Sequence, residues 1–434
     1  MLLSANGGGK TTRGAMVWAI SLIASHPGDG LLISDGKDGE LSAQLVPMLA
    51  KMGVKVAVID DMRVRPELAE HRIALNSFGA TALARAEHEG NVIYASESIT
   101  HALIPEPKDD AKNKYFRAWP RSLVEFAHLV MLSRKPETAT PGAAALMLSD
   151  PDLLITYAEI EARDEDGSPF LRALARNILG MQGHEHWPQH LEEAQRSLRT
   201  YAPGARLHEA GNGATLSHAD LIRQGYVTFL VGPQAYMDRL GSYYALHIQS
   251  FFQALYGGAG KLRLIADEFS NTPLSTLAQS ETTIRAYRGE VHKIAQSRSE
   301  IIRKFGEQEN RTLEENAIVK QFFGFSSFDE AERVSKAMGE QHAVASSLGS
   351  DGGGMKTNTN LSLIKQRWMS AAELMAMPQD QQLIHIKGVG FVLARTVSQS
   401  QLSPYCDLLA DNPLEGGRLP SDPLIKLPLP EAQT

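Results

Sequence analysis

The sequence contains a single cysteine, Cys406, and no hydrophobic run long enough to cross a bilayer. One cysteine cannot form an internal disulfide or a cysteine-based metal site, and its scarcity fits a reducing compartment. The most apolar stretch, residues 15–24, is about half the length that a membrane-spanning helix needs. A basic, cleavable leader is also missing. As given, the chain is therefore expected to be cytosolic.

Excess positive charge is missing too. The formal net charge is -7 and the pI is near 6.1, so bulk charge gives no support for binding to nucleic acid or to a membrane surface. Any basic surface must be local. The 434 residues are 43% hydrophobic and 21% charged, which is typical of a soluble globular protein with two or three domains.

Helix and strand patterns alternate at the start of the chain. Residues 11–25 and 41–52 have helical periodicity, whereas residues 30–35 and 54–60 are short apolar runs with β-branched side chains. Such alternation predicts a parallel sheet with crossover helices.

The pattern changes between about residues 96 and 201, where apolar residues recur at spacings of three and four and no strand is indicated. This stretch is expected to be an all-helical insertion. Strand patterns then return at residues 226–231, 262–268, 290–295 and 382–387. The glycine- and serine-rich residues 346–360 are expected to be a flexible loop, and the chain after residue 402 a loose tail.

The stretch SANGGGKTT, residues 4–12, resembles a phosphate-binding loop. In that motif glycines turn backbone N–H groups towards phosphates, a lysine reaches the β/γ-phosphates and a hydroxyl ligates Mg²⁺. Here Gly7, Gly8, Gly9, Lys10, Thr11 and Thr12 are the candidate nucleotide ligands, although Ser4 stands at the first glycine position. Because such a loop follows a strand, residues 1–3 are expected to be the stub of one. A plain glycine-rich turn is the alternative.

Residues 262–268, LRLIADE, are an apolar run that ends in two acids. This is the Walker B pattern, in which Asp267 would hold Mg²⁺ and Glu268 would polarise the attacking water. A buried strand followed by a solvated acidic turn explains the same residues. Occurring together with a Gly-Lys-Thr loop in one α/β pattern, however, the motif favours a nucleotide site.

Two more residues are candidates for the same chemistry. Gln296 follows the next predicted strand and could sense a γ-phosphate or orient water, or simply cap the strand end. Arg285 lies between the two strands. In ring ATPases an arginine so placed can face the nucleotide of the neighbouring subunit; otherwise it is a surface residue.

Two further polar clusters are less specific. The turn DGKDGE, residues 35–40, follows a predicted strand at the end where α/β ligands bind, but an ordinary loop explains it as well. His184, His186 and His190 lie close together in the sequence. Pro188 interrupts the helix that would align them as metal ligands, so a solvated helix end is favoured.

In this order, the motifs resemble the coupling proteins of type IV secretion and bacterial conjugation, the TraG/TraD type, relatives of the FtsK and HerA ring translocases. The similarity covers about residues 3–392. Besides the two nucleotide motifs it is carried by residues 35–41 (DGKDGEL), 58–61 (VIDD), 76–78 (NSF), 264–269 (LIADEF), 285–289 (RAYRG), 294–297 (IAQS), 305–306 (FG) with Asn316, and 374–387.

The resemblance implies an ATPase that binds ATP and Mg²⁺ and forms a homo-hexameric ring. Carried over by position, Gly7 to Thr12 bind nucleotide, Thr11 and Asp267 hold Mg²⁺, and Glu268, Gln296 and Arg285 are catalytic. The implied fold is α/β, a RecA-like P-loop domain with a parallel-rich sheet that an all-helical domain interrupts. The expected parts are 1–95 and 206–400 for the nucleotide-binding domain, 96–205 for the all-alpha domain and 401–434 for the tail.

The same resemblance implies partners and a location. The chain would recruit DNA, with a relaxase or protein effectors, to inner-membrane components of the secretion channel, on the cytoplasmic side of that membrane. Because the net charge is negative, DNA would need a local basic patch. Arg117, Arg121, Arg134 and Lys135 are the candidates, with a solvated helix face as the alternative. A cytosolic DNA translocase and a docking receptor that does not hydrolyse ATP are the alternative functions.

Overall fold

A computed structural model describes residues 1–4, 7–105, 114–269, 283–350, 357–414 and 417–430. Its contacts divide the chain into two compact units. Unit 1 consists of Met1–Gly14 and Ile294–Ser398, and unit 2 of Ala15–Lys293 and Gln399–Thr434. The four-part division at residues 95, 205 and 400 stays a prediction.

The strands of the described residues are, in chain order, β1 (Leu2–Leu3), β2 (Gly30–Asp35), β3 (Val56–Ile59), β4 (Val227–Val231), β5 (Leu262–Ala266), β6 (Gly289–Ala295), β7 (Val319–Phe322), β8 (Glu340–Ser350), β9 (Thr357–Arg367), β10 (Gln381–Ile386), β11 (Gly390–Arg395), β12 (Leu402–Ser403) and β13 (Ile425–Lys426).

Most of the helices that the sequence predicts are present. A π-helical turn, Lys10–Ala15, leads into the first of them. They are α1 (Met16–Ser25), α2 (Glu40–Lys51), α3 (Gly79–Glu87), α4 (Asn91–Leu103), α5 (Lys114–Arg134), α6 (Pro141–Ser149), α7 (Pro151–Arg163), α8 (Pro169–Met181), α9 (Trp187–Ser197), α10 (His218–Arg223), α11 (Met237–Tyr256), α12 (Arg298–Phe305), α13 (Glu307–Asn316), α14 (Phe328–Met338), α15 (Ala371–Met375) and α16 (Tyr405–Leu408). None of the described helices is both long and apolar enough to cross a membrane.

Unit 2 contains a parallel sheet in the order β3-β4-β2-β5, with the first five residues of β6 beside β5. Every residue of β2 is buried, which explains its continuous apolar sequence, since helices cover both faces of parallel sheets. Between β3 and β4 the described residues contain helices and turns but no strand. The expected all-helical insertion is therefore present, with α3 to α9 at its centre.

Unit 1 contains a second set of strands. The two residues of β1 pair in parallel with the end of β6 on one side and with β7 on the other, with Leu2 opposite Ile294 and Gln321. Beyond β7 lie β10 and β11, both antiparallel to their neighbours. The expected strand stub thus forms hydrogen bonds on both sides. On the β7 side the N–H groups of Gln321 and Phe323 donate to the carbonyls of Met1 and Leu3 at 2.9 and 3.0 Å, and on the β6 side the N–H of Ser4 donates to the carbonyl of Ala295 at 3.2 Å.

The glycine- and serine-rich stretch 346–360 differs from the flexible loop expected there. Its described residues belong to β8 and β9, which pair from Glu340 opposite Arg367 to Ser350 opposite Thr357. Serine, glycine and asparagine have low strand propensity, but a continuous cross-strand ladder overrides that preference. Local composition therefore missed this hairpin.

The C-terminal residues also differ from the loose tail expected. Within unit 2, Gln399 donates from its amide to the side-chain oxygen of Gln44 at 2.9 Å, and the N–H of Ala410 donates to the carbonyl of Gln44 at 3.2 Å. Both contacts join this segment to α2. Hydrogen bonds between residues more than 300 positions apart in the sequence leave no local pattern. A prediction based only on the proline-rich composition of this segment was therefore wrong.

Candidate functional site

The glycine-rich loop lies in unit 1, directly after β1. Gly7 and Gly9 have φ angles of 74° and 82°, which glycine adopts at little cost. Helical backbone begins at Lys10, so the first N–H groups of this turn have no intrahelical acceptor and suit an anion. Ala5 and Asn6 lie outside the described residues. The strand–loop–helix context that a phosphate loop requires is thus present.

The residues of the loop differ in how far they are buried. Thr11 is buried, with 8% of its surface exposed, whereas Gly8, Lys10 and Thr12 are half-buried and Gly7 is exposed. An ammonium group and a hydroxyl on successive residues are the donor and ligand types that phosphate and Mg²⁺ use. The residues present therefore fit a nucleotide with its metal ion.

Arg13 is a loop residue that sequence reasoning missed. Its guanidinium donates to the carbonyl of Gln379, and a Cβ placed at Gly9 would meet its Cδ at 3.0 Å. Arg13 therefore packs along the left-handed glycine of the loop. The available signal was the four-residue spacing from Gly9 to Arg13, which places both on one side of a helical turn.

Gln296 directly follows β6 and lies beside the start of the loop. The pairing of β1 with β6 sets Leu3 opposite Ala295, and the N–H of Ser4 donates to the carbonyl of Ala295 at 3.2 Å. Because parallel strands end at the same edge, this register brings Gln296 to the edge where the loop begins. Ser297 caps α12, its hydroxyl accepting from the N–H of Glu300 at 3.2 Å.

The two acids of the second motif lie in unit 2, at the end of β5. All five residues of β5 are buried, and Asp267 is only 5% exposed. The N–H of Glu268 donates to Oδ1 of Asp267 at 2.9 Å, and Glu268 has a φ angle of 45°. A positive φ is uncommon for a residue with a side chain and often marks a functional position.

Arg285 lies shortly before β6 and is exposed. Its carbonyl accepts from the N–H of Arg288 at 3.3 Å, which belongs to the turn into the strand. Exposure leaves the guanidinium accessible to a second molecule. Its assignment as an arginine that acts across a subunit boundary stays a prediction.

The turn between β2 and α2 is a tightly bonded structure in unit 2. Asp38 and Gly39 both have positive φ angles, and Asp38 accepts from the N–H of Gln234 at 3.1 Å. Asp35 accepts from the N–H of Ser42 at 2.7 Å, while burial raises the pKa of Asp35 to about 6. The fully buried Glu40 pairs with Lys37 at 2.7 Å.

Two carboxylates after β3 join the same edge of unit 2. Asp60 accepts from the N–H groups of Val64 and Arg65 at 2.8 and 2.9 Å. The hydroxyl of Tyr243 donates to Asp61 at 2.7 Å, and burial raises the pKa of Asp61 to about 6. The sequence pointed to Asp60 and Asp61 only through the resemblance of residues 58–61 to the family. The contact of Asp61 with Tyr243 has no local signal, because Tyr243 comes from a distant helix.

The four basic residues proposed for DNA do not form one free patch. Arg121 is buried and donates twice to the carbonyl of Ile104, at 2.9 and 2.6 Å. Arg134 is paired with Glu161 and Asp164, and Arg117 with Glu193. Helical periodicity cannot show which arginines the fold buries, so this part of the prediction was wrong for Arg121.

The histidine cluster consists of neighbouring rings in tilted and edge-to-face arrangements. The rings of His184 and His186 lie 5.5 Å apart, and those of His186 and His190 lie 6.4 Å apart. His190 is buried, and burial lowers its pKa, with smaller contributions from the other two histidines. Over the described residues there is no group of three or more His, Cys, Asp or Glu side chains that could hold a metal ion.

Residues 261–379, which include Asp267, Glu268, Arg285 and Gln296, match the family model described as the TraM recognition site of TraD and TraG. This segment of the chain is therefore similar to the coupling proteins TraD and TraG. The comparison with curated proteins found no match.

Solved structures support the fold of this chain. The unbound conjugative coupling protein TrwB, lacking its first 70 residues, is 16% identical with a TM-score of 0.63, over 91% of this chain and 84% of that one. TrwB with the ATP analogue ADPNP is 15% identical with a TM-score of 0.64 over the same shares. VirB4 of Thermoanaerobacter pseudethanolicus is 13% identical with a TM-score of 0.51, over 93% and 89%. The predicted RecA-like P-loop fold with its helical insertion is confirmed.

Proposed function

We propose that this chain is an ATP-hydrolysing coupling protein that recruits DNA, with a relaxase or protein effectors, to a type IV secretion channel and helps to translocate it. The observation that carries the proposal is the loop of Gly9, Lys10 and Thr11. Within unit 1 it connects a paired strand to a helix and has Gln296 beside its start. A glycine-rich turn without a nucleotide role needs neither the strand nor the neighbouring glutamine.

The residues have distinct roles in this proposal. The backbone N–H groups of residues 7–12 and the ammonium group of Lys10 bind the phosphates, and the Thr11 hydroxyl and the Asp267 carboxylate hold Mg²⁺. When bound, Mg²⁺ neutralises charge on the phosphate oxygens. Glu268 polarises the attacking water, and Gln296 contacts the γ-phosphate. Arg285 acts on the nucleotide of a neighbouring subunit.

Three findings support this assignment. The family segment covers the proposed catalytic residues, TrwB has been solved with ADPNP, and TrwB has also been solved with ADP and Mg²⁺. From the family we further propose a homo-hexameric ring on the cytoplasmic side of the inner membrane. Its partners there are inner-membrane components of the secretion channel.

ATP turnover with and without DNA tests the proposal. We expect the purified wild type to hydrolyse ATP and Lys10→Ala to lose roughly 100-fold in turnover, because the phosphates lose a charge-assisted contact. Lys51→Ala is the matched control, since Lys51 is exposed at the end of α2. Equal turnover by Lys10→Ala contradicts the motor function. Tight ATP binding by a wild type that shows no turnover identifies a docking receptor instead.

A further inference from the structure

Arg13 covers a glycine of the glycine-rich loop from one helical turn away. The N–H of Arg13 donates to the carbonyl of Gly9 at 2.8 Å, and side chains on a helix point back towards its start. A Cβ placed on Gly9 would lie 3.0 Å from Cδ, 3.3 Å from Cγ and 3.4 Å from Nε of Arg13. The aliphatic part of the arginine therefore lies directly on Gly9.

The far end of the same side chain is fixed to another part of unit 1. Its Nη1 donates to the carbonyl of Gln379, which lies between α15 and β10. The hydroxyl of Thr396 donates to that carbonyl at 3.4 Å, and the N–H of Thr396 donates to the carbonyl of Asp380 at 2.8 Å. Because these residues continue the antiparallel ladder of β10 and β11, the acceptor of Arg13 belongs to an ordered end of the sheet.

The environment of Arg13 differs from that of a surface arginine in an ion pair. The residue is half-buried and has no carboxylate partner within the part of the chain that the structure describes. Its acceptor is a main-chain carbonyl, so the contact depends on the path of the backbone and not on the side chain of Gln379. An arginine that only increases solubility needs neither this acceptor nor the contact with Gly9.

Gly9 determines the directions of two amide groups in the loop. Its φ angle, 82°, orients the peptide plane that carries its own N–H, and its ψ angle orients the plane that carries the N–H of Lys10. Glycine has access to a wide range of both angles because it lacks a Cβ. A side chain that lies on Gly9 restricts this range, since rotation of either plane would disturb the packing. Both N–H groups are therefore held in place by Arg13.

We propose that Arg13 is a positioning residue for nucleotide binding. By packing on Gly9 and bonding to the carbonyl of Gln379, it holds the N–H groups of Gly9 and Lys10 in directions that suit phosphate oxygens. The loop is thus ordered when the protein folds and not when the ligand binds, which increases its affinity for phosphates. The identity of the ligand rests on the proposed function, whereas the restriction of Gly9 does not.

Titration of a fluorescent ADP analogue with Mg²⁺, together with steady-state ATP turnover, tests this role in the full chain. Arg13→Ala should weaken ADP binding and raise the KM for ATP about tenfold, because the backbone of one residue must then be fixed at binding. The kcat should change much less, since the loop contacts the phosphates in the ground state and in the transition state alike. Arg13→Lys keeps an aliphatic stem on Gly9 and a donor for Gln379, so it should recover most of the affinity.

Arg311→Ala is the matched control. It removes the same charge from an exposed position of α13 in the same unit, and it should bind ADP like the wild type. Hydrogen exchange of the nucleotide-free protein gives a second measurement, because the N–H of residue 13 is bonded to Gly9. A peptide covering residues 7–15 should exchange faster in Arg13→Ala than in Arg311→Ala. An arginine that only stabilises the fold would lower the melting temperature without changing the ADP affinity of the folded protein.

The proposal is overturned by unchanged ADP affinity in Arg13→Ala, by an equal loss of affinity in Arg13→Lys and Arg13→Ala, or by a lower kcat at unchanged KM. The last result would make Arg13 a catalytic group. Each of these results, in a wild type that binds nucleotide, refutes the positioning role alone. A wild type that binds no nucleotide refutes the proposed function instead, and the exchange of residues 7–15 then decides whether Arg13 fixes the loop.

Discussion

The side-chain amide of Asn412 donates a hydrogen bond of 2.8 Å to the carboxylate of Glu40, although 372 residues separate them in the sequence. Glu40 is fully buried and Asn412 is 6% exposed. The other carboxylate oxygen of Glu40 pairs with Lys37. The C-terminal segment therefore supplies a hydrogen-bond donor to a buried carboxylate at the start of α2, within the DGKDGE turn.

Replacing Asn412 by alanine should destabilise the protein by about 1–3 kcal/mol, because a buried carboxylate oxygen loses its donor. Chemical denaturation at neutral pH measures this change in the free energy of unfolding. Asp411→Ala, at the exposed neighbouring position, should change it little. Similar values for the two variants would show that the contact to Glu40 contributes nothing.

Gln296→Ala should reduce ATP turnover by roughly 100-fold, as the loss of one positioned polar contact in a transition state does. ATP affinity should change little, because the loop residues that bind the phosphates are untouched. Single-turnover hydrolysis and nucleotide-binding titrations separate the two effects. Gln321→Ala, on strand β7 of the same unit, is the control. Full turnover in Gln296→Ala would remove this residue from the catalytic set.

Gly232→Ala should destabilise unit 2, because a Cβ at this position would lie 1.2 Å from the hydroxyl oxygen of the buried Tyr244. Overpacking of this kind costs about 1–3 kcal/mol. Tyr244→Phe should rescue the variant only in part, since the ring carbon Cζ would still lie 2.5 Å away. Thermal melting of the single and double variants measures both effects.

Gly180→Ala is the matched control for this substitution. Gly180 lies within α8, and a Cβ there would meet nothing within 4 Å. Alanine is the better helix former by up to about 1 kcal/mol, so this variant should melt at the same temperature or higher. Equal destabilisation at both glycines would contradict the packing explanation.

His128 should make the protein sensitive to acid. Its Nε2 lies 2.7 Å from the Thr81 hydroxyl, which itself donates to the carbonyl of Phe78 at 2.9 Å, so the imidazole N–H is the donor to Thr81. Burial, with a smaller contribution from the charge of Arg85, lowers the pKa of His128 to about 3. Below pH 6.5 the unfolded chain therefore binds a proton that the native protein does not.

Stability must fall as pH falls from 6.5 towards 3, because protons favour the unfolded state. His128→Gln removes this group. It should reduce the slope of the free energy of unfolding against pH by up to about 1.4 kcal/mol per pH unit. Urea unfolding at pH 7.5, 6.0 and 5.0 measures the slope. His26→Gln, at an exposed position, should leave it unchanged. His218 and His247 are also buried and have lowered pKa values. Part of the pH dependence of stability should therefore remain in His128→Gln.

The sequence by itself determined the elements whose signals are local. The buried strand β2 is a continuous apolar run, β5 ends in Asp267 and Glu268, and Gly9 and Lys10 mark the start of a helix. Each depends on side-chain periodicity, a turn preference or one short motif, so a window of a few residues contains the information. The fold class followed from the order of these motifs.

Tertiary structure decided which distant residues meet. The two-residue β1 lies between β6 and β7, which brings Gln296 beside the loop. Glu161 neutralises Arg134, and Asn412 reaches Glu40. These contacts depend on strand register and on helix packing between segments far apart in the chain, and no local propensity encodes either one.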